Sequence, residues 1–205
     1  MLPGIDVSNW QNVIDWPAVA AAGCRFAFIK ATEGATFQDQ RFATNRAAAR
    51  EAGIAVGAYH YLRVTSTIPA QLENFTRVVA KLEPGELPPA LDIEDPKQWA
   101  GYSRTELTEL ALSWLRGAHR TFGVQPFIYI NPSFAEEYLD ATASDVGQYP
   151  LWLANWVPQN PTVPPPWESW TFWQYSSEGT IRGVTGKVDL DWFAGNDEQF
   201  QRLRV

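Results

Sequence analysis

The order of apolar and polar residues restricts the fold of this chain more than any other feature. Short apolar runs alternate with longer stretches that have helical periodicity, and this alternation favours a parallel sheet with helices packed outside it. The predicted strands cover residues 4–8, 24–31, 54–62, 89–94 and 126–131, and the predicted helices cover residues 15–22, 39–52, 69–82, 103–122 and 133–140. The fourth helix is the best marked, because Ser103 and Glu106 fit a capping box and Gly123 is a helix stop.

The pattern changes after residue 140. Three further strands are predicted over residues 151–156, 170–176 and 188–191, and the proline-rich and glycine-rich segments between them show no helix. Five β/α units and three bare strands make about eight strands, the number that closes a small barrel. We therefore predict an α/β fold with one barrel domain over residues 1–205. An open doubly wound sheet is the alternative, but it would lack the bare strands.

Composition excludes several classes of partner. Hydrophobic residues make up 45% of the chain and charged residues 19%, as in a globular protein. The formal net charge is -7 and no basic run occurs, which argues against nucleic acid and against an anionic membrane surface. No apolar run approaches the roughly 20 residues that span a bilayer. The first residues also lack a basic stretch followed by an apolar segment, so no secretory signal is expected.

The chain has few side chains that suit a metal or redox site. Cys24 is the one cysteine, so no internal disulfide is possible, and its apolar surroundings in sequence favour a buried, inert thiol. His60 and His119 are the two histidines, and they show no close pairing. A zinc site usually needs more nitrogen or sulfur ligands than these residues provide. We expect neither a metal nor an organic cofactor.

The segment over residues 88–96 carries the clearest chemical signal. Side chains alternate across a strand, so Asp92 and Glu94 share one face of it. Two carboxyl groups at the end of an apolar strand disfavour a second charge, which raises the pKa of one of them. A carboxylic acid that stays protonated near neutral pH can act as a general acid. The alternative is that both groups are simply solvated at a strand end.

Two more acids occupy strand ends far away in sequence. Asp6 lies in the last part of the first predicted strand, and Asp189 lies in the last strand. Closure of the sheet would place the first and last strands side by side, so that both acids join Asp92 and Glu94 around one mouth. Each acid alone could equally be a helix cap or a turn residue, and the prediction depends on their convergence.

Together these motifs identify a family. The sequence resembles the glycoside hydrolase family 25 lysozymes over nearly its whole length, through the ordered segments GIDVS (4–8), FIKATEG (28–34), GAYHY (57–61), LDIE (91–94), LWLA (151–154), WQYS (173–176) and VDLD (188–191). The DxE pair alone is less specific, because chitinase-like barrels also carry it. Family members commonly have Asn where this chain has Asp191, which adds a negative charge near the site.

The resemblance implies both fold and activity. It implies a flattened TIM-like (β/α)5β3 barrel and cleavage of the β-1,4 bond between N-acetylmuramic acid and N-acetylglucosamine in peptidoglycan. Glu94 would donate the proton to the leaving oxygen, Asp92 would orient the 2-acetamido group of the substrate, and Asp6 and Asp189 would complete an acidic floor. Because Asp92 and Glu94 leave little room for a water in line, we favour assistance by the acetamido oxygen over the other stereochemical routes.

Several side chains near predicted strand ends are candidate sugar contacts. Flat aromatic rings stack on sugars, which makes Tyr61, Tyr129 and Trp156 candidates, although each could instead be core. Lys30 could offset part of the acidic charge, and Gln174 could bind sugar hydroxyl groups.

Competing functions stay open at this stage. They are a non-catalytic cell-wall-binding module, a chitinase-like hydrolase and a zinc amidase. We expect a monomer that acts on bacterial peptidoglycan strands without a separate wall-binding module, and that reaches the wall by lysis, as a phage endolysin does, or by secretion.

Overall fold

The architecture is an α/β barrel. The structure, a computed structural model, describes residues 1–140, 142 and 145–205. The strands within these residues are β1 (Leu2–Val7), β2 (Phe26–Glu33), β3 (Phe37–Gln38), β4 (Ala55–Tyr61), β5 (Ala90–Asp92), β6 (Phe127–Ile130), β7 (Leu151–Ala154), β8 (Phe172–Gly179) and β9 (Val188–Phe193). The α-helices are α1 (Trp16–Ala21), α2 (Phe42–Glu51), α3 (Ile68–Val79), α4 (Pro96–Trp99), α5 (Arg104–Phe122), α6 (Pro132–Tyr138) and α7 (Asp197–Leu203).

The sheet closes on itself through its first strand. The strand order is β1-β9-β8-β7-β6-β5-β4-β2-β3, and β1 also pairs with β2, so eight strands form the barrel and β3 extends it at one edge. This closure confirms the predicted barrel and excludes the open doubly wound sheet. The expectation of a parallel sheet is wrong for β9, which is antiparallel to both β1 and β8. The short β8–β9 connection contains no helix, so the chain returns as a hairpin and reverses direction.

The five predicted helices are all present, with ends that differ by a few residues. Ser103 and Glu106 form the predicted capping box of α5, and Gly123 ends it in the left-handed region at φ 72°. Among the strands and α-helices of the described residues, three short ones were not predicted, namely β3, α4 and α7. Of these, α7 had a usable signal, because Asn196 and Gln199 form a second capping box.

Alternation along the strands divides the barrel interior into two levels. The level near the N-terminal ends of the parallel strands is filled by aromatic rings, among them Phe26, Phe28, Phe127, Trp152 and Phe172. These rings contact one another, and the Phe28 and Trp152 rings stack with centroids 4.1 Å apart. The next inward positions towards the C-terminal ends are polar. Burial of the aromatic level favours folding and leaves the other end of the barrel free for polar groups.

Two glycines make room for the aromatic level. A Cβ on Gly4 would lie 2.3 Å from the Phe26 ring, and a Cβ on Gly57 would lie 2.5 Å from the Phe28 ring. Both distances are far below van der Waals contact, so the rings occupy the space that any side chain at these two positions would need.

The remaining core lies between the barrel and its helices. The imidazole of His60 is completely buried there, stacks on Trp114 with ring centroids 5.3 Å apart and is hydrogen bonded to Thr32 and Gln71. The Cys24 thiol is also buried, as expected, and burial raises its pKa to about 12. Over the described part of the chain, no helix combines the length and apolar character needed to cross a membrane.

We expect the Gly57→Ala substitution to lower the free energy of unfolding by about 1–3 kcal/mol, because overpacking forces the Phe28 ring out of its position. Denaturant unfolding of the single and double variants measures this. In the double variant with Phe28→Leu, the smaller side chain should accept the new methyl group, so the loss should be smaller than the sum of the two single losses. Simple additivity would contradict the proposed contact.

Candidate active site

A polar cavity opens at the C-terminal ends of the parallel strands. It has a volume of about 200 Å³. Its lining residues come from seven of the eight barrel strands and the segments that follow them, and they are Asp6, Tyr59, Asp92, Glu94, Tyr129, Trp152, Trp156, Gln174 and Asp189. The structure thus brings all four predicted acids together. Asp6 and Asp189 are direct neighbours, because they are paired residues of β1 and β9.

Gln174 connects the floor of this cavity with its rim. Its Nε2 donates to Asp6 Oδ2 over 2.7 Å. Its Oε1 accepts from the Tyr129 hydroxyl at 3.0 Å and from Trp156 Nε1 at 2.9 Å. Two donors on the oxygen determine the orientation of the amide, so its N–H group must face the carboxyl of Asp6.

The floor is a group of three carboxyls. Asp6 lies within hydrogen-bonding reach of both Asp189 and Asp191. Asp191 is completely buried, and its Oδ1 accepts from Trp152 Nε1 over 2.7 Å. Burial is the largest cause that raises the pKa of each acid, to about 6 for Asp189, to about 7 for Asp191 and well above the usual range for Asp6. The charges of Asp189 and Asp191 add to the effect on Asp6.

Asp92 and Glu94 differ in their access to water. Asp92 is buried, and burial together with the charge of Glu94 raises its pKa well above the usual range. Glu94 lies just beyond β5 and its side chain reaches solvent at the mouth. The protein around it still raises its pKa through desolvation and through the charges of Asp189 and Asp95, against the opposing charge of Lys30. Glu94 is therefore an acid that can hold a proton and exchange it with water.

A network of ion pairs borders one side of the mouth. Lys30 Nζ lies 2.6 Å from Glu33, and Arg63 bridges Glu33 and Asp95 at 2.7 and 3.0 Å. The Lys30 ammonium and the Arg63 guanidinium also lie 4.7 Å from the centre of the Tyr61 ring. Tyr61 lines the mouth, and because both cations lie against its ring, the ring also helps to hold Lys30 and Arg63 in position.

Two larger cavities adjoin the acidic one and make it part of a groove. One, of about 330 Å³, is lined by Lys30, Tyr61, the acids and the 82% exposed Trp10. The other, of about 520 Å³, lies against Trp156, which is 62% exposed, and is otherwise lined mainly by neutral polar side chains such as Asn131 and Asn155. Glu94 lines all three cavities, so the groove passes directly over its carboxyl group.

Several residues of this site were not predicted from the sequence. Tyr59 and Trp152 line the acidic cavity, and Trp10 stands at one end of the groove. The period of two could have indicated Tyr59, because it lies two residues before Tyr61 on the same strand face. Nothing in the sequence marked Trp10, which belongs to a short 3₁₀ turn after β1.

The arrangement suits proton transfer to a ligand that lies in the groove. A protonated carboxyl at the mouth can donate to a leaving oxygen, and buried acids beside it can accept N–H groups or stabilise positive charge. Within the described ranges, no three His, Cys, Asp or Glu side chains are placed to hold a metal ion.

Comparisons with known proteins agree with this geometry. The sequence profile of the family described as Glycosyl hydrolases family 25 matches residues 5–184. Lysozyme M1 of Streptomyces globisporus is 37% identical over 203 residues, which cover 94% of this chain and 68% of that protein. The N,O-diacetylmuramidase of Arthroderma benhamiae is 28% identical, with 98% of this chain and 85% of that protein covered.

Solved structures give the same result. The crystal structure of the bacterial lysozyme from Streptomyces coelicolor superposes with a TM-score of 0.93 at 36% identity, and the match covers 98% of this chain and 96% of that one. Sequence, fold and relatives agree, and the chain belongs to the glycosyl hydrolases of family 25 and is a glycoside hydrolase.

Proposed function

We propose that this protein is a muramidase that hydrolyses the β-1,4 bond between N-acetylmuramic acid and N-acetylglucosamine in bacterial peptidoglycan, with Glu94 as the general acid. The observation that carries the proposal is the position of Glu94 where the three cavities of the groove meet. A glycan strand that follows the groove would place a glycosidic oxygen beside this carboxyl. The lysozyme and muramidase relatives support the same substrate class.

The direction of the strand follows from the distribution of charge. Glycosidic cleavage develops positive charge on the sugar whose anomeric carbon is attacked, and carboxylates stabilise that charge. Asp6, Asp92 and Asp189 line the acidic cavity, whereas none of them lines the larger cavity beside Trp156. The muramic acid residue therefore occupies the acidic cavity, and the leaving glucosamine lies beside Trp156, Asn131 and Asn155.

Asp92 is suited to assist the substrate's own acetamido group. It lies two positions before Glu94 on the same face, which leaves little space for a water between them and the sugar. Its Oδ1 is buried and accepts no hydrogen bond from any described residue. The carboxyl group of Asp92 lines the acidic cavity, where it would accept the acetamido N–H of the substrate and direct the acetamido carbonyl towards the anomeric carbon. Asp6 and Asp189 would complete the negative floor.

The polar rim would hold the glycan in place. Trp156 offers an exposed ring whose position is set by its hydrogen bond to Gln174, and Tyr129 is held by the same amide. Lys30 would moderate the negative charge, and Tyr61 would keep Lys30 in position. Since one chain supplies every lining residue of the groove, we also propose that a monomer is active at the cell wall.

The Glu94→Gln substitution should lower kcat by about 10²–10⁴-fold, because the amide cannot supply the proton, while binding to purified walls is retained. Turbidity clearing and wall sedimentation measure the two properties. Glu51→Gln is the control, because Glu51 is an exposed acid at the end of α2 that lines none of the three cavities, so its loss should leave kcat nearly unchanged. Unaltered clearing by Glu94→Gln would mean that Glu94 is not the general acid, whereas wall binding without any clearing by the wild-type protein would identify a binding module.

Analysis of the products of a single peptidoglycan digest shows both which glycosidic bond is cleaved and which stereochemical route is followed. Borohydride labelling should find muramic acid at the new reducing ends, whereas labelled glucosamine would mean a different glycosidase. NMR of the first-formed product should show a retained anomer, and an inverted one would contradict assistance by the acetamido group.

The Lys30→Met substitution should move the alkaline limit of kcat/KM to higher pH. Lys30 lowers the pKa of Glu94, so its removal raises that pKa and keeps the general acid protonated further into the alkaline range. Rate profiles on soluble glycan oligomers measure the shift. Lys30→Arg keeps the charge and should leave the limit near its original pH, and a shift of Lys30→Met to lower pH would refute the electrostatic role.

The Trp156→Ala substitution should raise KM by about 5- to 10-fold with a small change in kcat, which corresponds to a loss of about 1–1.4 kcal/mol of stacking. Trp156→Phe is the matched control, because it keeps an apolar face and loses only the indole N–H bond to Gln174. If both substitutions lower kcat and leave KM alone, Trp156 acts on the acids through Gln174 and does not bind sugar.

A further inference from the structure

Asp191 is the most deeply buried acid near the site, and the mechanism does not use it. It lies on β9 opposite Gly4 of β1, one inward position deeper than Asp189. Its Oδ1 is satisfied by the indole N–H of Trp152. Its Oδ2 is buried and receives no hydrogen bond from an N–H group or a hydroxyl of the described residues. A buried carboxylate oxygen with no donor is costly, so a proton is the missing partner.

Asp6 is the neighbour that can share this proton. Its Oδ2 already accepts from Gln174, whose amide cannot turn round because its oxygen holds Tyr129 and Trp156. The Asp6 carboxyl also lies within hydrogen-bonding reach of Asp191. Two carboxyl groups in such contact bind one proton between them far more easily than they ionise together.

No cation of the described residues is paired with these two carboxyls. Lys30 lines a cavity together with Asp6, but its ammonium is paired with Glu33. The titratable side chains whose charges act on the pair, or feel its charge, are Asp189 on β9, Tyr59 on β4, Tyr129 on β6, Tyr175 on β8 and Cys24 before β2. All of them are neutral or negative. Within the described ranges, no lysine, arginine or histidine forms an ion pair or a hydrogen bond with Asp6 or Asp191. The second negative charge therefore has no counter-charge.

We infer that Asp191 is a positioning residue that shares a single proton with Asp6, so that the pair carries one negative charge at neutral pH and Asp189 provides the other charge of the floor. The raised pKa of both members of the pair agrees with this state. The inference rests on the proposed catalytic role of the floor, but it concerns where a proton lies and can be tested without any measurement of activity.

An asparagine at this position is an informative replacement. The carbonyl oxygen of Asn could accept from Trp152, and its N–H could donate to Asp6, so both bonds would survive without the shared proton. Asp6 would then be ionised in the variant, and the charge of the floor would be the same as before. Asp191→Asn should therefore preserve the fold.

Infrared difference spectroscopy at neutral pH counts the groups directly. Between wild type and Asp191→Asn, the protonated-carboxyl band should fall by one group per molecule, while the carboxylate band stays unchanged. Two ionised aspartates would give the opposite result, with one carboxylate lost and no protonated carboxyl lost, and that result would overturn the inference. Glu51→Gln removes an exposed acid of α2 and should show that opposite pattern as a control.

A second variant and a second readout guard against a folding defect. Asp6→Asn should also lose one protonated carboxyl and no carboxylate, whether or not it is active. The raised pKa of Asp191 in the folded state also makes the stability of the protein depend on pH. Its stabilising contribution is complete below about pH 4 and is lost as the pH rises through about 7. The Tm of Asp191→Asn should therefore rise relative to wild type between these values, and a constant difference in Tm would contradict the shared proton.

If the spectra show the shared proton but Glu94→Gln still clears walls, the proposed function fails and the inference about Asp191 stands. If Glu94→Gln abolishes clearing and the spectra show two carboxylates, the inference alone fails.

Discussion

Closure of the sheet by β1 is the constraint on which the rest of the structure depends. β1 pairs in parallel with β2 on one side and antiparallel with β9 on the other. The register of the second pairing places Asp6 opposite Asp189 and Gly4 opposite Asp191, so one set of backbone hydrogen bonds assembles the acidic floor from the two ends of the chain. A slip of one residue would turn these acids out of the barrel and abolish the site.

The two levels of the barrel interior have different roles, because the aromatic level stabilises the fold and the polar level carries the acids of the site. The aromatic level is apolar and closely packed, and it excludes water from below the carboxyls. This environment raises the pKa of the acids above it, because a carboxylate that faces Phe and Trp rings loses hydration. The same packing that stabilises the fold therefore favours the protonated form of these acids. The glycines opposite Phe26 and Phe28 are part of this arrangement, since larger residues would open the packing.

The sequence predicted the layout well because its main signals are local. Apolar runs, capping boxes and helix-stop glycines depend on neighbouring residues, so five helices and the eight barrel strands could be located from them. The direction of β9 could not be predicted, because it depends on how a glycine-rich connection returns to the sheet. The convergence of Asp6 and Asp189 on Asp92 and Glu94 could be predicted only by assuming that the sheet closes into a barrel. The Gln174 network and the burial of Asp191 depend on side chains from separate strands, which no local pattern reports.

The exposure of Glu94 has a consequence for turnover. Asp6, Asp92 and Asp191 are buried, whereas the Glu94 side chain stands at the open mouth of the groove. An acid that has given up its proton to a departing sugar must recover one before the next cycle. In the proposed acetamido-assisted route, the water that opens the cyclic intermediate returns this proton to Glu94. The open mouth lets that water enter directly from solvent, so the enzyme needs no chain of relay residues through the barrel wall.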